Sequence, residues 1–108
     1  MSLGSQVFQT FTATVTTAGT SVAASPAPYD NTHTVRVRNN NATAIIYVAD
    51  TASGGSIAAT GLVIAAGTYQ DLPIRVASER TKNQFVLAID SDTNGATAVL
   101  TYFNAHAS

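Results

Sequence analysis

The chain has 108 residues, 45% of them apolar and only 10% charged, with a formal net charge of −1. That is one domain with a modest core, and the charge excludes both charge-driven disorder and nucleic-acid binding by phosphate neutralisation. Cysteine is absent, which excludes disulfides and thiolate metal sites.

No apolar run approaches the roughly 18 residues of a membrane span, so no membrane partner is expected. The start, MSLGSQ, lacks the basic and apolar regions of a secretory signal and reads as a flexible tail over 1–6. A single domain is expected over 7–103, with a second tail over 104–108. The chain is rich in β-branched residues, with 16 Thr and 10 Val, which favour pleated strands.

In chain order, residues 6–17 alternate Phe11, Ala13 and Val15 with Thr10, Thr12, Thr14 and Thr16. That is a strand with one apolar face and one hydroxyl face. Residues 21–24 read as a short edge strand, stopped by Pro26 and Pro28. Val35 and Val37 alternate with Arg36 and Arg38, and then Ala44, Ile46 and Val48 alternate with Ile45, Tyr47 and Ala49. With Asn39-Asn40-Asn41 between them, residues that tolerate positive φ, these two strands read as a β-hairpin. The second is apolar on both faces, as suits a central strand or a subunit contact.

Residues 50–60 form a small-residue loop around Gly54-Gly55. Residues 62–64 and 68–72 read as strands joined by a turn and ended by Pro73. Residues 75–83 carry Arg75, Glu79, Arg80 and Lys82 and have room for one helical turn. Residues 84–89 read as a strand with Phe85, Leu87 and Ile89 on one face. Residues 90–95 read as a hairpin loop with Asn94-Gly95 as its turn signal, and 96–103 as the return strand.

About eight short strands at this spacing predict an all-β protein, a single antiparallel β-sandwich, jelly-roll-like or immunoglobulin-like. The expected core is Phe11, Val15, Val35, Val37, Ile46, Val48, Leu62, Ile64, Phe85, Leu87, Ile89, Leu100 and Tyr102.

Catalytic chemistry finds little footing. The histidines are His33, at a strand start, and His106, near the C-terminus, and no G-x-S-x-G elbow is present. No enzyme activity and no cofactor are expected. Asp90-x-Asp92-x-Asn94-Gly95 matches the first half of a calcium loop. Its twelfth position is Thr101 rather than a bidentate Glu, so a turn without stable calcium is expected. Asn41-Ala42-Thr43 is a glycosylation sequon read here as turn residues. Tyr29, Tyr47 and Tyr69 are the aromatics open to a role in sugar binding, with core or interface filling the stronger expectation.

The stretch 44–74 resembles a pattern of small tailed-bacteriophage structural proteins. Its marks are Ile46-Tyr47-Val48, then Gly61-Leu62-Val63-Ile64-Ala65-Ala66-Gly67, then Asp71-Leu72-Pro73, preceded by the VRVRNNNATAIIYV segment. The resemblance covers about 40 residues and carries no catalytic group. It implies a non-enzymatic virion protein: foremost a capsid decoration (cement) protein in contact with the major capsid protein and forming a homo-oligomer such as a trimer. A neck, tail or fibre-associated virion protein is a further alternative. From the residues themselves the rival is a carbohydrate-binding or adhesin-type sandwich module. The expected contact surface is Ile45, Tyr47 and Ala49 with Gly54, Gly55 and Ile57 of the loop, and Arg75, Arg80 and Lys82 beyond it. A salt bridge from the arginines to Asp71 or Glu79 of a neighbouring subunit is expected.

Overall fold

The computed structural model describes residues 8–25, 32–74 and 86–104. Its first strand, β1 (Phe8–Val15), pairs antiparallel with its last, β8 (Ala96–Asn104), from Phe8 opposite Phe103 to Val15 opposite Ala96. The same nesting continues inward. Strand β2 (Val22–Ala23) pairs with β7 (Ala88–Ser91), β3 (Thr32–Arg38) with β6 (Tyr69–Pro73), and β4 (Ile46–Ala49) with β5 (Leu62–Ile64). Further pairing of β3 with β8 and of β4 with β7 closes two four-stranded sheets, β1-β8-β3-β6 and β2-β7-β4-β5.

This is a long antiparallel hairpin folded over into two facing sheets, which decides for the jelly roll. An immunoglobulin-like sandwich joins several consecutive strands within one sheet. Among the described residues, only β4 and β5 are consecutive partners. The expected hairpin of β3 and β4 is therefore corrected, because the two strands lie in different sheets and Asn39-Asn40-Asn41 carries the chain between them. The same correction applies at 92–95, which passes from β7 to β8 in the other sheet. β7 also runs on through Asp90 and Ser91, which were expected in the loop. Alternation and turn residues report where a strand ends. They do not report whether the chain returns beside it or crosses the roughly 10 Å to the facing sheet.

Among the described residues, positive φ occurs only at glycines, Gly19, Gly54, Gly67 and Gly95, so the asparagines of 39–41 do not use that freedom. β8 runs to Asn104, one residue beyond the expected domain end. Asn104 is buried there and accepts a hydrogen bond from the Thr32 hydroxyl at 2.5 Å.

The core lies between the sheets as the alternation predicts. Val15, Val35, Val37, Ile46, Val48, Ile64, Leu87, Ile89, Leu100 and Tyr102 are buried, and Phe11 packs half-buried against them. Leu62 departs from expectation at 40% exposed. It faces inward beside Val48, but on a three-residue edge strand. Phe85 lies outside the described residues.

Candidate functional site

The polar side chains most suggestive of chemistry hold the crossovers together. Asn39 is fully buried where β3 leaves its sheet. Its Nδ2 donates to the carbonyls of Ala44 and Ile64, both at 2.8 Å, and its Oδ1 accepts from the backbone N–H and side-chain amide of Asn41. Its own N–H donates to Thr68 O and its carbonyl accepts from Gly67 N. One side chain thus ties the end of β3, the start of β4 and the β5–β6 turn, and fills the hydrogen-bonding capacity of an amide. Asn41 continues the network to β8, donating to Thr97 O and accepting from Thr97 N. The sequon nitrogen, the atom glycosylation would modify, is engaged in these bonds.

Asp90 anchors the β1–β2 connection and the β4–β5 loop. It pairs with Tyr47, on the outward side of β7, yet is 0% exposed. Its Oδ1 accepts from Gly19 N at 3.0 Å and Ser91 N at 2.8 Å, and its Oδ2 from Ile57 N at 3.3 Å. The 50–61 loop is thus drawn over the outer face of β7, with Ile57 buried beneath it at 5% exposure. Ser21, just before β2, holds the same loop, exchanging backbone bonds with Gly54 and Gly55. Gly61 closes it against β4, where a Cβ would meet Ile57 O at 2.8 Å and Val48 O at 3.1 Å.

Asp92 and Asn94 point elsewhere. Asp92 Oδ1 accepts from Ile45 N at 2.9 Å, while Asn94 Oδ1 accepts from Ala18 N at 2.7 Å. The Ile45 N–H, helped by the Thr93 hydroxyl, holds the Asp92 carboxyl below the usual carboxylate range. The three side chains of the half calcium motif therefore serve backbone donors, Asp90 and Asn94 on the β1–β2 loop and Asp92 at Ile45. Among the described residues, no three His, Asp or Glu side chains gather as a metal site, and no buried side-chain nitrogen or oxygen lacks a partner. His33 is exposed and shares a hydrogen bond with the Thr34 hydroxyl. A hollow of about 450 Å³ beside β2 is lined by Ala23, Asp50, Ser53 and Leu87 among others, and Asp50 is its one titratable group among the described residues.

Of the expected contact residues, Ile45, Tyr47 and Ala49 are half-buried and Gly54 and Gly55 are exposed. Ile57 is corrected from a surface residue to a plug, because the Asp90 bond folds its loop onto the chain's own sheet. Arg75, Arg80 and Lys82 lie outside the described residues.

The more prominent surface is the outer face of β1-β8-β3-β6, which was not among the expected contacts. Register aligns Phe8, Phe103, Thr34 and Pro73 in one row, then Thr10, Thr101, Arg36 and Asp71, then Thr12, Val99, Arg38 and Tyr69. The Arg36 guanidinium lies 4.1 Å from the Tyr69 ring centroid and 5.5 Å from that of Phe103, and Phe103 sits 6.2 Å from Phe8. Arg36 also grips Asp71 through two bonds, Nε to Oδ1 at 2.7 Å and a second nitrogen to Oδ2 at 3.1 Å. That hydrogen bonding holds the Asp71 carboxyl below its usual range. Arg36 and Asp71, two of the groups expected to bridge subunits, pair within one chain, because antiparallel register sets them opposite each other. The result is a diagonal aromatic and guanidinium stripe with Phe8 55% and Tyr69 54% exposed. Each member lies on the outward side of its strand, and the strand order brings them together.

The class defined by this fold is the all-β antiparallel sandwich wound as a jelly roll. No protein-family model, no curated protein and no solved structure matches the chain.

Proposed function

We propose that this chain is a non-enzymatic structural protein of a bacteriophage virion, a capsid decoration protein that docks on the major capsid protein. The observation that carries the reading is the outer face of β1-β8-β3-β6. It presents a stripe in which Phe8 and Tyr69 are exposed and Phe103 and Arg36 are half-buried, while Asn39, Asp90, Asp92 and Asn94 are committed to backbone bonds. Aromatic and arginine side chains are the residues most enriched at the energetic centres of protein interfaces. The jelly-roll winding, a form used by viral capsid and lectin domains alike, is compatible with the resemblance of 44–74. This face is favoured over the half-buried side of β4, beside which the chain's own 50–61 loop packs.

The test is co-sedimentation of the purified chain with capsids that lack it. Tyr69→Ala is expected to weaken binding at least about tenfold, as for a contact that contributes about 1.4 kcal/mol or more, and to leave the melting temperature nearly unchanged. Absence of capsid binding by the wild-type chain would overturn the reading. A second reading, a carbohydrate-binding or adhesin-type module, is favoured by the open Tyr69 ring beside the Arg36–Asp71 pair. It predicts Tyr69-dependent retention on polysaccharide and none on capsids.

A further inference from the structure

We propose that the free edge of β1 is a pairing surface whose partner is a second copy of this chain. The two β1 strands join antiparallel about a two-fold axis, making one eight-stranded sheet from two sandwiches. This goes beyond the virion reading and does not depend on it.

A sheet edge offers unpaired N–H and C=O groups to any passing strand, and proteins blunt such edges by shortness, charge, proline or bulges. The two sheets have four edges, β1, β6, β2 and β5. β2 is two residues long and β5 three. β6 carries the Asp71 charge and ends in Pro73. β1 has none of these devices. It is eight residues long, reads FQTFTATV without charge, proline or glycine, and keeps unbroken register with β8. Among the described residues, β8 is its only ladder partner. Gln9 and Phe11 face the interior yet remain half-exposed, whereas Ala13 and Val15 further along are buried. Among the described residues, the sandwich is therefore less closed along the first half of this edge than along the second.

A second copy fits because the strand is complementary to itself. An isologous contact sets each strand against its own inverted sequence, and an uncharged strand then meets no like charge. Side-chain parity limits the register. Thr10, Thr12 and Thr14 must face outward on both copies, and Gln9, Phe11, Ala13 and Val15 inward. This holds only when the axis passes through a residue. Phe11 and Thr12 are the central choices, pairing 8–14 or 9–15 of each strand. Both set threonine against threonine on the outer face, a favourable cross-strand pair, as already seen between Thr10 and Thr101. The contact is isologous and closes as a dimer, in place of the trimer the phage resemblance implies.

The test is sedimentation velocity of the full chain up to about 1 mM, a range that captures dissociation constants of about 1 mM and tighter, with amide hydrogen exchange at low and high concentration. Dimers are expected to form, with concentration-dependent protection of the β1 amides that point away from β8. Thr10→Lys with Thr12→Lys sets like charges opposite one another in either register and is expected to weaken dimerisation at least about tenfold. Both positions are exposed, so circular dichroism and melting should match the wild type. If that variant fails to fold, the wild-type exchange pattern decides alone. A chain that stays monomeric, a dimer the two lysines leave intact, or a dimer without added β1 protection would each overturn the proposal. Tyr69→Ala, at the opposite edge of the sheet, is expected to leave dimerisation intact, so loss of capsid binding and loss of pairing are read separately.

Discussion

Replacing Asp90 asks whether a buried carboxylate holds the 50–61 loop to its sheet. Asp90 is 0% exposed and accepts three backbone N–H bonds, two of them from the loops containing Gly19 and Ile57. Asp90→Ala leaves those two donors without an acceptor, at about 1–3 kcal/mol each when water cannot replace it. Relaxation of the loop brings the expectation to about 3 kcal/mol, toward the lower end of the summed range. Asp90→Asn is the sharper variant. Its Oδ1 can still serve Gly19 and Ser91, but an amide NH₂ in place of Oδ2 faces the Ile57 N–H, donor against donor. The opposing effect is desolvation: a buried carboxylate is costly unless its hydrogen bonds compensate, and the amide removes that cost. Three backbone donors at 2.8–3.3 Å indicate that compensation wins. Asp90→Asn should therefore lose about 1–2 kcal/mol. Urea denaturation measures this, and the Ile57 amide should exchange faster in the variant. A variant as stable as the wild type or more so, with the Ile57 amide unchanged, would show that Asp90 does not anchor the loop.

Four further predictions follow from named contacts. Tyr102, whose hydroxyl donates to the carbonyl of Ser25, has its phenol pushed up to about 12 by burial. Spectroscopic alkaline titration should show one late tyrosine, stability should fall as pH rises past about 10, where the unfolded phenol ionises first, and Tyr102→Phe should cost about 0.5–1.5 kcal/mol. The lowered Asp92 and Asp71 carboxyls contribute stability that is present above their unfolded values and lost as pH falls through their folded ones. Urea midpoints measured from about pH 5 down to about pH 2 should therefore fall, and less steeply in the double variant Asp71→Asn, Asp92→Asn. Leu87→Ala, at a site 3% exposed, should cost about 2–5 kcal/mol, and a loss below about 0.5 kcal/mol would contradict its burial. Gly61→Ala drives a Cβ against Ile57 O and Val48 O and should lower stability by about 1–3 kcal/mol, with exchange rising first in the 50–61 loop.

The sequence by itself determined the strands and their faces. Period-two alternation in FTATV and TVRVR leaves one way to bury the apolar set, so the inward side of β1 and β3 is legible from the residues alone, whereas β4 and β8 carry apolar residues on both faces. The residues also show that the Asp90-x-Asp92-x-Asn94-Gly95 loop has Thr101 where a calcium loop has its bidentate Glu. Only the tertiary structure decided the topology. Asn39-Asn40-Asn41 and Asn94-Gly95 carry the same local signals whether a strand turns back beside its predecessor or crosses to the facing sheet. The choice is made by partners elsewhere in the chain, β6 and β8 for β3, β5 and β7 for β4. The same long-range pairing made Asp90 a buried acceptor instead of a turn residue and turned Ile57 inward. It also gathered Phe8, Phe103, Arg36 and Tyr69 from four strands onto one face. Parity along a strand is a local property of the backbone. Which strands become neighbours is a property of the whole chain, because it is settled by how all the apolar faces are buried together.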